Sequence, residues 1–229
     1  MSYLSEKEQI EVFQKWWAEN GVSLLLAVAT VLAVWFGWTY WQKQQQVQIE
    51  KASAIYQDML DAFKPGEAAA TQDKKPLDLA NQLRKDYRNT FYGKAAALFL
   101  AQDAVKKGDL DAAEKALDDL IQQHPEDTLK YTALLRSAQV LYAQGKYDEG
   151  LDRVKDPVPD ALKSRFLEMR GDLLVAKAAA NKNATDSSLV DQAAMAYTNA
   201  ILALDKNDSS AHQTLEMKLN DLARPVAKP

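Results

Sequence analysis

The sequence predicts an all-α protein in which a single N-terminal transmembrane helix precedes a domain of helical hairpins. The segment from residue 21 to residue 41 carries no charged side chain, and as a helix it would rise about 31 Å, which matches a hydrocarbon core of about 30 Å. The remainder is polar and spaces its apolar residues at helical intervals, with only 8 glycines and 7 prolines in 229 residues. A glycine-centred pattern also recurs, at Gly108 and at Gly145. These observations predict a membrane anchor followed by a repetitive helical domain.

The composition argues against several classes of function. The net charge is -4, so the chain lacks the basic excess with which proteins bind nucleic acid. It has no cysteine, which excludes disulfides and thiolate metal sites. His124 and His212 do not have a metal-ligand spacing, and the sequence contains no phosphate-binding loop and no set of nucleophile, base and orienting residue. The sequence therefore predicts a binding protein with no catalytic residue, no cofactor and no metal.

Residues 1–20 are predicted to form an amphipathic N-terminal tail. Ser5 and Glu8 have the spacing of a capping box at the start of a helix. The apolar stripe of that helix consists of Ile10, Phe13, Trp16 and Trp17. Such a helix would lie along the membrane surface and lead into the span, although its acidic face weakens attraction to anionic lipid. The alternative is a frayed tail with one aromatic anchor.

Residues 21–41 are predicted to be the transmembrane helix, retained as an uncleaved anchor. The aromatic residues that flank it, as at membrane–water interfaces, are Trp16 and Trp17 before it and Trp38, Tyr40 and Trp41 at its end. Because the run ends in bulky side chains, it lacks the small residues that a signal peptidase requires. The alternative is a buried core helix of a soluble domain, which the length, the missing charges and the two aromatic belts disfavour.

Three small residues, Ala29, Ala33 and Gly37, recur every four positions within the span. Small side chains at this spacing let a second membrane helix approach closely, so these three residues are the predicted membrane helix contact. The alternative is that alanine and glycine are common in any membrane span and mark no contact.

Residues 42–93 are predicted to be a linker followed by a first helical pair. After a polar run that begins at Gln42, the apolar residues from Ile49 to Phe63 follow helical spacing, and Pro65-Gly66 ends that helix. A polar loop over 67–75, a second helix over 77–89 and a turn over 90–93 complete this part of the prediction.

Residues 94–224 are predicted to contain hairpin repeats and a capping helix. Around both Gly108 and Gly145, a small residue lies seven positions before the glycine, an apolar residue two after it and a small residue five after it. The glycine would end the first helix of a hairpin, and the small residues let the paired helices approach. This pattern resembles the tetratricopeptide repeat, a helix pair of about 34 residues.

The second repeat is predicted to end early, because Asp156 is followed by Pro157 and Pro159. A third repeat would place Leu167, Gly171 and Leu174 on its first helix, and Ala193, Tyr197 and Ala200 on its second. The remaining segments are predicted to be an exposed polar insertion at 181–188, a capping helix over 210–224 and a disordered tail at 225–229.

In stacks of this kind the first helix of each pair lines the concave side. The residues projected onto that side are Leu98, Gln102 and Val105 in the first repeat, and Leu135, Gln139 and Tyr142 in the second. They form the predicted peptide groove, which would suit an extended or helical peptide. The alternative is that several of them are ordinary core residues.

Several short segments appear in an order that is similar to a known family. They are Ala18–Gly21 before the span, Gly37–Trp41 at its end, Asn89–Gly93 before the first repeat, Arg170–Leu174, and Glu216–Leu222 near the end. With these segments the chain resembles the YfgM family, the ancillary subunit of the bacterial SecYEG translocon, over nearly its whole length. It departs from the family at the insertion 181–188 and at a longer loop over 64–76.

The resemblance implies a bacterial inner-membrane protein with a cytoplasmic N-terminus and a periplasmic repeat domain. The lysine count alone leaves this orientation open, because Lys7 and Lys15 precede the span and Lys43 and Lys51 follow it. The partners implied are the lipid bilayer, the SecYEG translocon, a PpiD-type membrane-anchored chaperone and translocating polypeptides that pass to periplasmic chaperones. The alternative function is a scaffold for an envelope-stress regulatory or division complex.

Overall fold

Every regular element in the described part of the chain is an α-helix. The structure, a computed structural model, describes residues 6–63, 75–155, 157–180, 187–205 and 208–223. The helices are α1 (Glu6–Phe63), α2 (Lys75–Asp86), α3 (Phe91–Lys106), α4 (Leu110–Gln122), α5 (Asp127–Ala143), α6 (Tyr147–Arg153), α7 (Asp160–Ala180), α8 (Ser187–Leu202) and α9 (Ser209–Ala223). The all-α prediction is confirmed.

The chain divides into two compact units, unit 1 (Met1–Lys51) and unit 2 (Ala52–Pro229). The domain limits predicted from sequence at residues 20, 41, 93 and 224 stay predictions.

Helix α1 continues without a break for 58 residues. The sequence predicted a surface-lying tail helix, a span and then a linker, whereas the structure joins these segments in one helix. No proline occurs before Pro65, and glutamine and lysine in the polar run after Gln42 favour helix. Asn20 and Gly21 have low helix propensity, but the side-chain Nδ2 of Asn20 donates a hydrogen bond to the Trp16 carbonyl oxygen at 3.1 Å. The ring of Trp17 also packs over Gly21. These two side-chain contacts stabilise the helix at a position of low helix propensity.

Gly108 and Gly145 end α3 and α5 as the sequence predicted. Both adopt the left-handed region, with φ of 78° and 77°, which glycine enters without steric cost. The amide of Asp109 donates to the Ala104 carbonyl, and the amide of Lys146 donates to the Leu141 carbonyl, each at 2.9 Å. These equivalent bonds are those of a Schellman motif. The two turns therefore close in the same way and start the second helix of each pair.

The helix pairs stack side by side within unit 2. Helix α3 packs on α4, α5 on α6 and α7 on α8, while α3 also contacts α5 and α5 contacts α7. Buried Leu117 and Leu120 lie in the core of the first pair, and Phe166 and Leu173 lie in the core shared by the second pair and α7. Each pair thus covers the apolar stripe of its neighbour, as stacked repeats require.

The third pair is held together by a close approach of α7 and α8. A Cβ atom at Gly171 would lie 2.4 Å from Cε1 of Tyr197, so only glycine fits there without a shift. Helix α9 then adds buried Leu215 to a cluster with Tyr197 and Ala200. The predicted third pair and the predicted last helix both correspond to helices of the structure, which end the stack.

Unit 2 begins with the C-terminal part of α1. Ala52 and Met59 are buried in one cluster with Leu83 of α2 and Ala96 of α3. The rings of Tyr56 and Tyr92 lie 5.4 Å apart between their centroids. The helical pair that the sequence predicted before the repeats is therefore packed into the same stack.

The predicted turn over 90–93 is wrong. Thr90 is instead the N-cap of α3, and its hydroxyl oxygen accepts a hydrogen bond from the Gly93 amide at 3.1 Å. Helix α3 therefore begins at Phe91, because a threonine cap satisfies one of the amides that a helix start leaves free. Helix α2, predicted over 77–89, covers Lys75–Asp86.

The early end of the second repeat is confirmed, since α6 has only 7 residues and ends at Arg153. The predicted insertion is too long by two residues, because Ser187 and Ser188 belong to the first turn of α8. Residues 181–186, most of the predicted 67–75 loop and the tail at 225–229 lie outside the described residues.

Candidate protein-binding groove

A cavity of about 330 Å³ lies where α3, α4 and α5 meet in unit 2. Three of the residues predicted for the groove, Gln102, Val105 and Gln139, line it. The remaining lining residues are Ala101, Leu110, Leu117, Arg136, Val140 and Ala143. The wall is thus mainly aliphatic, and the side-chain amides of Gln102 and Gln139 provide hydrogen-bond donors and acceptors. Such a mixture can accept an apolar side chain and hydrogen-bond the backbone that carries it.

The other three residues predicted for the groove take different positions. Leu98 and Leu135 are partly buried and pack against the cores of the first and second pairs. Tyr142 remains 42% exposed, and its ring meets that of Tyr147 edge-on at 6.1 Å between centroids. The structure therefore brings three of the predicted residues to the cavity, and the other three do not line it.

Arg136 is a lining residue that the sequence analysis missed. It is exposed, and within the described residues it has no carboxylate partner. The signal was available, because Arg136 precedes Gln139 by three positions and so lies on the same face of α5. Its guanidinium offers several donors at the cavity, which suits a carbonyl or carboxylate group of a bound peptide.

Two ion pairs join α4 of the first repeat to α6 of the second repeat and to its N-cap residue, Lys146. Lys146 Nζ lies 2.7 Å from Glu114 Oε2, and Arg153 Nη2 lies 2.6 Å from Asp118 Oδ1. The hydrogen bond from Lys146 lowers the pKa of Glu114 below its ordinary value. Burial raises the pKa of Asp118, although Arg153 opposes the shift. The pKa values of these two carboxyl groups of α4 are thus shifted in opposite directions.

A second network fixes α9 on the stack. Lys218 Nζ lies 2.7 Å from Glu168 Oε1 and 2.8 Å from Asp172 Oδ1, and the Tyr197 hydroxyl donates to Asp172 Oδ1 at 2.8 Å. Burial raises the pKa of Tyr197, and the hydrogen bond to Asp172 adds to the shift. Burial acts to lower the pKa of Lys218, but the hydrogen bonds that Lys218 donates to Asp172 and Glu168 raise it overall. Sequence alone did not show this network, because its members come together only through packing.

The predicted membrane helix contact lies on α1 in unit 1. Ala29, Ala33 and Gly37 are all exposed, and a Cβ atom at Gly37 would meet nothing within 4 Å. Among the described residues, one segment, Gln9–Ala62, is long and apolar enough to cross a membrane. The small-residue face is therefore open along a helix that fits a single-pass membrane protein.

The comparisons with known proteins agree with this architecture. The family model described as a tetratricopeptide repeat-like domain matches residues 14–224. A relative from Haemophilus influenzae named "Ancillary SecYEG translocon subunit" is 31% identical over 178 residues, which cover 77% of this chain and 84% of the relative. The chain belongs to the family of ancillary SecYEG translocon subunits.

Other family members extend the match. The Escherichia coli ancillary SecYEG translocon subunit is 27% identical over 175 residues, covering 76% of this chain and 82% of the relative. The Neisseria gonorrhoeae member is 23% identical over 227 residues, covering 96% of this chain and 99% of the relative. No solved structure matches the chain significantly. The resemblance to this family that the sequence analysis stated is confirmed.

Proposed function

We propose that this chain is a membrane-anchored adaptor that associates with the SecYEG translocon and passes translocated chains to periplasmic chaperones. The observation that carries the proposal is the similarity to relatives named ancillary SecYEG translocon subunit, at up to 31% identity over most of the chain. A tetratricopeptide-like family with this name suggests a role in binding rather than in catalysis. A PpiD-type chaperone, also anchored in the membrane, is the proposed partner that receives the chains.

The orientation is part of the proposal. The N-terminal tail would lie in the cytoplasm and unit 2 in the periplasm, with α1 crossing the inner membrane once. An apolar helix and relatives named for the translocon fit an inner-membrane protein. Tethering would raise the effective concentration of unit 2 at its partner without any new contact. Weak contacts at the cavity would then suffice, and bound chains could leave quickly.

The cavity supports a role in holding extended polypeptide. Its aliphatic wall suits side chains of many sequences, since aliphatic burial is not directional. Gln102 and Gln139 offer amide groups that can bond a peptide backbone whatever its sequence. A site of this composition favours unfolded clients over one specific ligand, which is what a handover step requires.

Site-specific photo-crosslinking in intact membranes tests the proposal. A photoreactive residue at Gln139 is expected to form adducts with a secretory polypeptide arrested during translocation. The matched control is Lys115, which is exposed on α4 and does not line the cavity. A C-terminal reporter that is active only in the periplasm should be active in the same cells. An inactive reporter, or equal adducts from Gln139 and Lys115, would contradict the proposal, and an inactive reporter would favour a cytoplasmic scaffold.

A further inference from the structure

The N-terminal end of α1 carries an aromatic stripe that the proposed function does not use. Ile10, Phe13 and Trp17 are spaced by three and four residues, so they lie on one face of the helix. They are 56%, 60% and 43% exposed. The ring of Phe13 stacks on those of Trp16 and Trp17, with centroids 6.3 and 6.1 Å apart. The stripe is therefore a preformed aromatic surface that faces outward.

The stripe extends further than a membrane interface can cover. Helix α1 has no break between the stripe and the span. If the span begins at Gly21, the Cα atom of Phe13 lies about 12 Å and that of Ile10 about 16 Å beyond it along the axis. The headgroup region adds only about 5–8 Å on each side of the hydrocarbon core. Trp16 and Trp17 can therefore reach the headgroups, while Ile10 and Phe13 extend into the aqueous space.

The charge of this segment disfavours lipid as its partner. The tail has four glutamates, Glu6, Glu8, Glu11 and Glu19, and two lysines, Lys7 and Lys15, which give a net charge of -2. The cytoplasmic leaflet is itself negative and attracts basic segments. An acidic segment is repelled by this surface, so a protein partner suits the exposed aromatic side chains better than lipid does.

We propose that residues 9–20 of α1 form a docking surface for a Lys/Arg-rich cytoplasmic loop of a multi-spanning membrane protein. Such loops carry an excess of lysine and arginine on the cytoplasmic side. Their cations are attracted by the net negative tail, and they bind the faces of exposed tryptophan and phenylalanine rings through cation–π contacts. The proposal rests on the proposed function, because it uses the cytoplasmic placement of the tail. It adds a contact on the cytoplasmic side of the membrane, whereas the cavity would bind its client on the periplasmic side.

Photo-crosslinking of the full chain in native membranes tests the docking surface. A photoreactive residue at Phe13 is expected to give its main adduct with a multi-spanning membrane protein. The matched control is Val12, which is 62% exposed but lies on another side of the same helix. We expect at least a fivefold higher yield from position 13 than from position 12. Equal yields, adducts with phospholipid alone, adducts with a second copy of this chain, or no adduct would each overturn the proposal.

A charge-reversal variant tests the choice of partner. Combining Glu11→Lys with Glu19→Lys changes the net charge of the tail from -2 to +2 and is expected to lower the yield from position 13 at least threefold. Combining Glu11→Asp with Glu19→Asp should keep the yield. The reversal adds positive charge on the cytoplasmic side, so it also favours the proposed orientation. An unchanged yield after the reversal would overturn the electrostatic part of the proposal.

The two proposals can fail separately. If Gln139 still captures a translocating chain while position 13 gives no protein adduct, the docking surface is wrong and the adaptor function stands. If the C-terminal reporter is inactive in the periplasm, the orientation is wrong, and both proposals fail together.

Discussion

Unit 1 and unit 2 are both helical, but they treat their apolar side chains in opposite ways. In unit 1, Leu26 is 64% exposed and Trp35 is 56% exposed. In unit 2, Leu117, Leu173 and Leu215 are at most 2% exposed. A helix that is apolar all round needs an apolar surrounding, whereas one with an apolar stripe needs a packing partner. The difference shows that unit 2 provides its own core, while unit 1 depends on lipid or on another protein.

The charged side chains follow the same division. In unit 2, Arg153 of α6 and Lys146, the N-cap residue of that helix, bind carboxylates of α4. Lys177 of α7 binds Asp148 of α6. In the described part of unit 1, Glu19 has no such partner on another helix. Unit 2 therefore fixes the spacing of its helices with ion pairs as well as with apolar contacts. The same side-chain substitution should therefore change the free energy of unfolding by different amounts in the two units.

The largest difference is expected for removal of a leucine side chain. Leu173→Ala empties a fully buried position and should lower the free energy of unfolding by about 3 kcal/mol, or the Tm by roughly 10 °C. Leu26→Ala deletes the same atoms from the exposed face of the span and should leave the Tm of unit 2 unchanged. The measurement is thermal unfolding of the full chain in detergent micelles, followed by far-ultraviolet circular dichroism. An equal loss of Tm in the two variants would contradict the difference in packing between unit 1 and unit 2.

A smaller difference is expected for an added methyl group. Gly171→Ala places a Cβ atom 2.4 Å from the Tyr197 ring, which the hydroxyl bond to Asp172 holds in place. The overpacking should cost about 2 kcal/mol. Gly37→Ala adds the same group where nothing lies within 4 Å, and alanine favours the helix more than glycine does. The same unfolding measurement should therefore show a loss only for Gly171→Ala, and a stable Gly171→Ala variant would contradict the close packing of α7 and α8.

Much of the fold could be predicted because local signals agree with it. The span follows from its missing charges, and the two hairpin turns follow from Gly108 and Gly145, since only glycine enters the left-handed region freely. The continuity of α1 could not be predicted in this way. The polar run after Gln42 looks like a linker by composition, yet glutamine and lysine favour helix in the absence of a breaker.

The candidate site was less predictable than the fold. Helical spacing placed Gln102, Val105 and Gln139 at the cavity, because one face of a helix can be read from sequence. Spacing does not show which residue of that face a neighbouring helix covers, so Leu98 and Leu135 were predicted for the groove although they pack on the core. A periodic pattern shows on which face of a helix a residue lies, but how deeply the residue is buried depends on the helix that packs against that face.

The smallest effect is expected from the pH dependence of an ion pair. The pKa of Glu114 is lower in the folded chain than its ordinary value of 4.5, because Lys146 donates to it. In the pH range between these two values the unfolded chain binds more protons than the folded chain. The stabilisation by this carboxylate is therefore complete above about pH 4.5 and is lost as the pH falls through the folded pKa.

Glu114→Gln should consequently lower the Tm by about 1–2 °C at pH 7, and the difference from the parent chain should shrink as the pH falls from 4.5 through the lowered folded pKa of Glu114. Burial raises the pKa of Asp118, so its contribution to the pH dependence has the opposite sign, and Asp118 is present in both variant and parent. The matched control, Glu19→Gln in unit 1, should leave the Tm unchanged over the same pH range. A pH-independent loss in Glu114→Gln would show that the pair acts through packing rather than charge. A loss in the control would show that unit 1 also contributes ion pairs to folding, which would weaken the division between the two units.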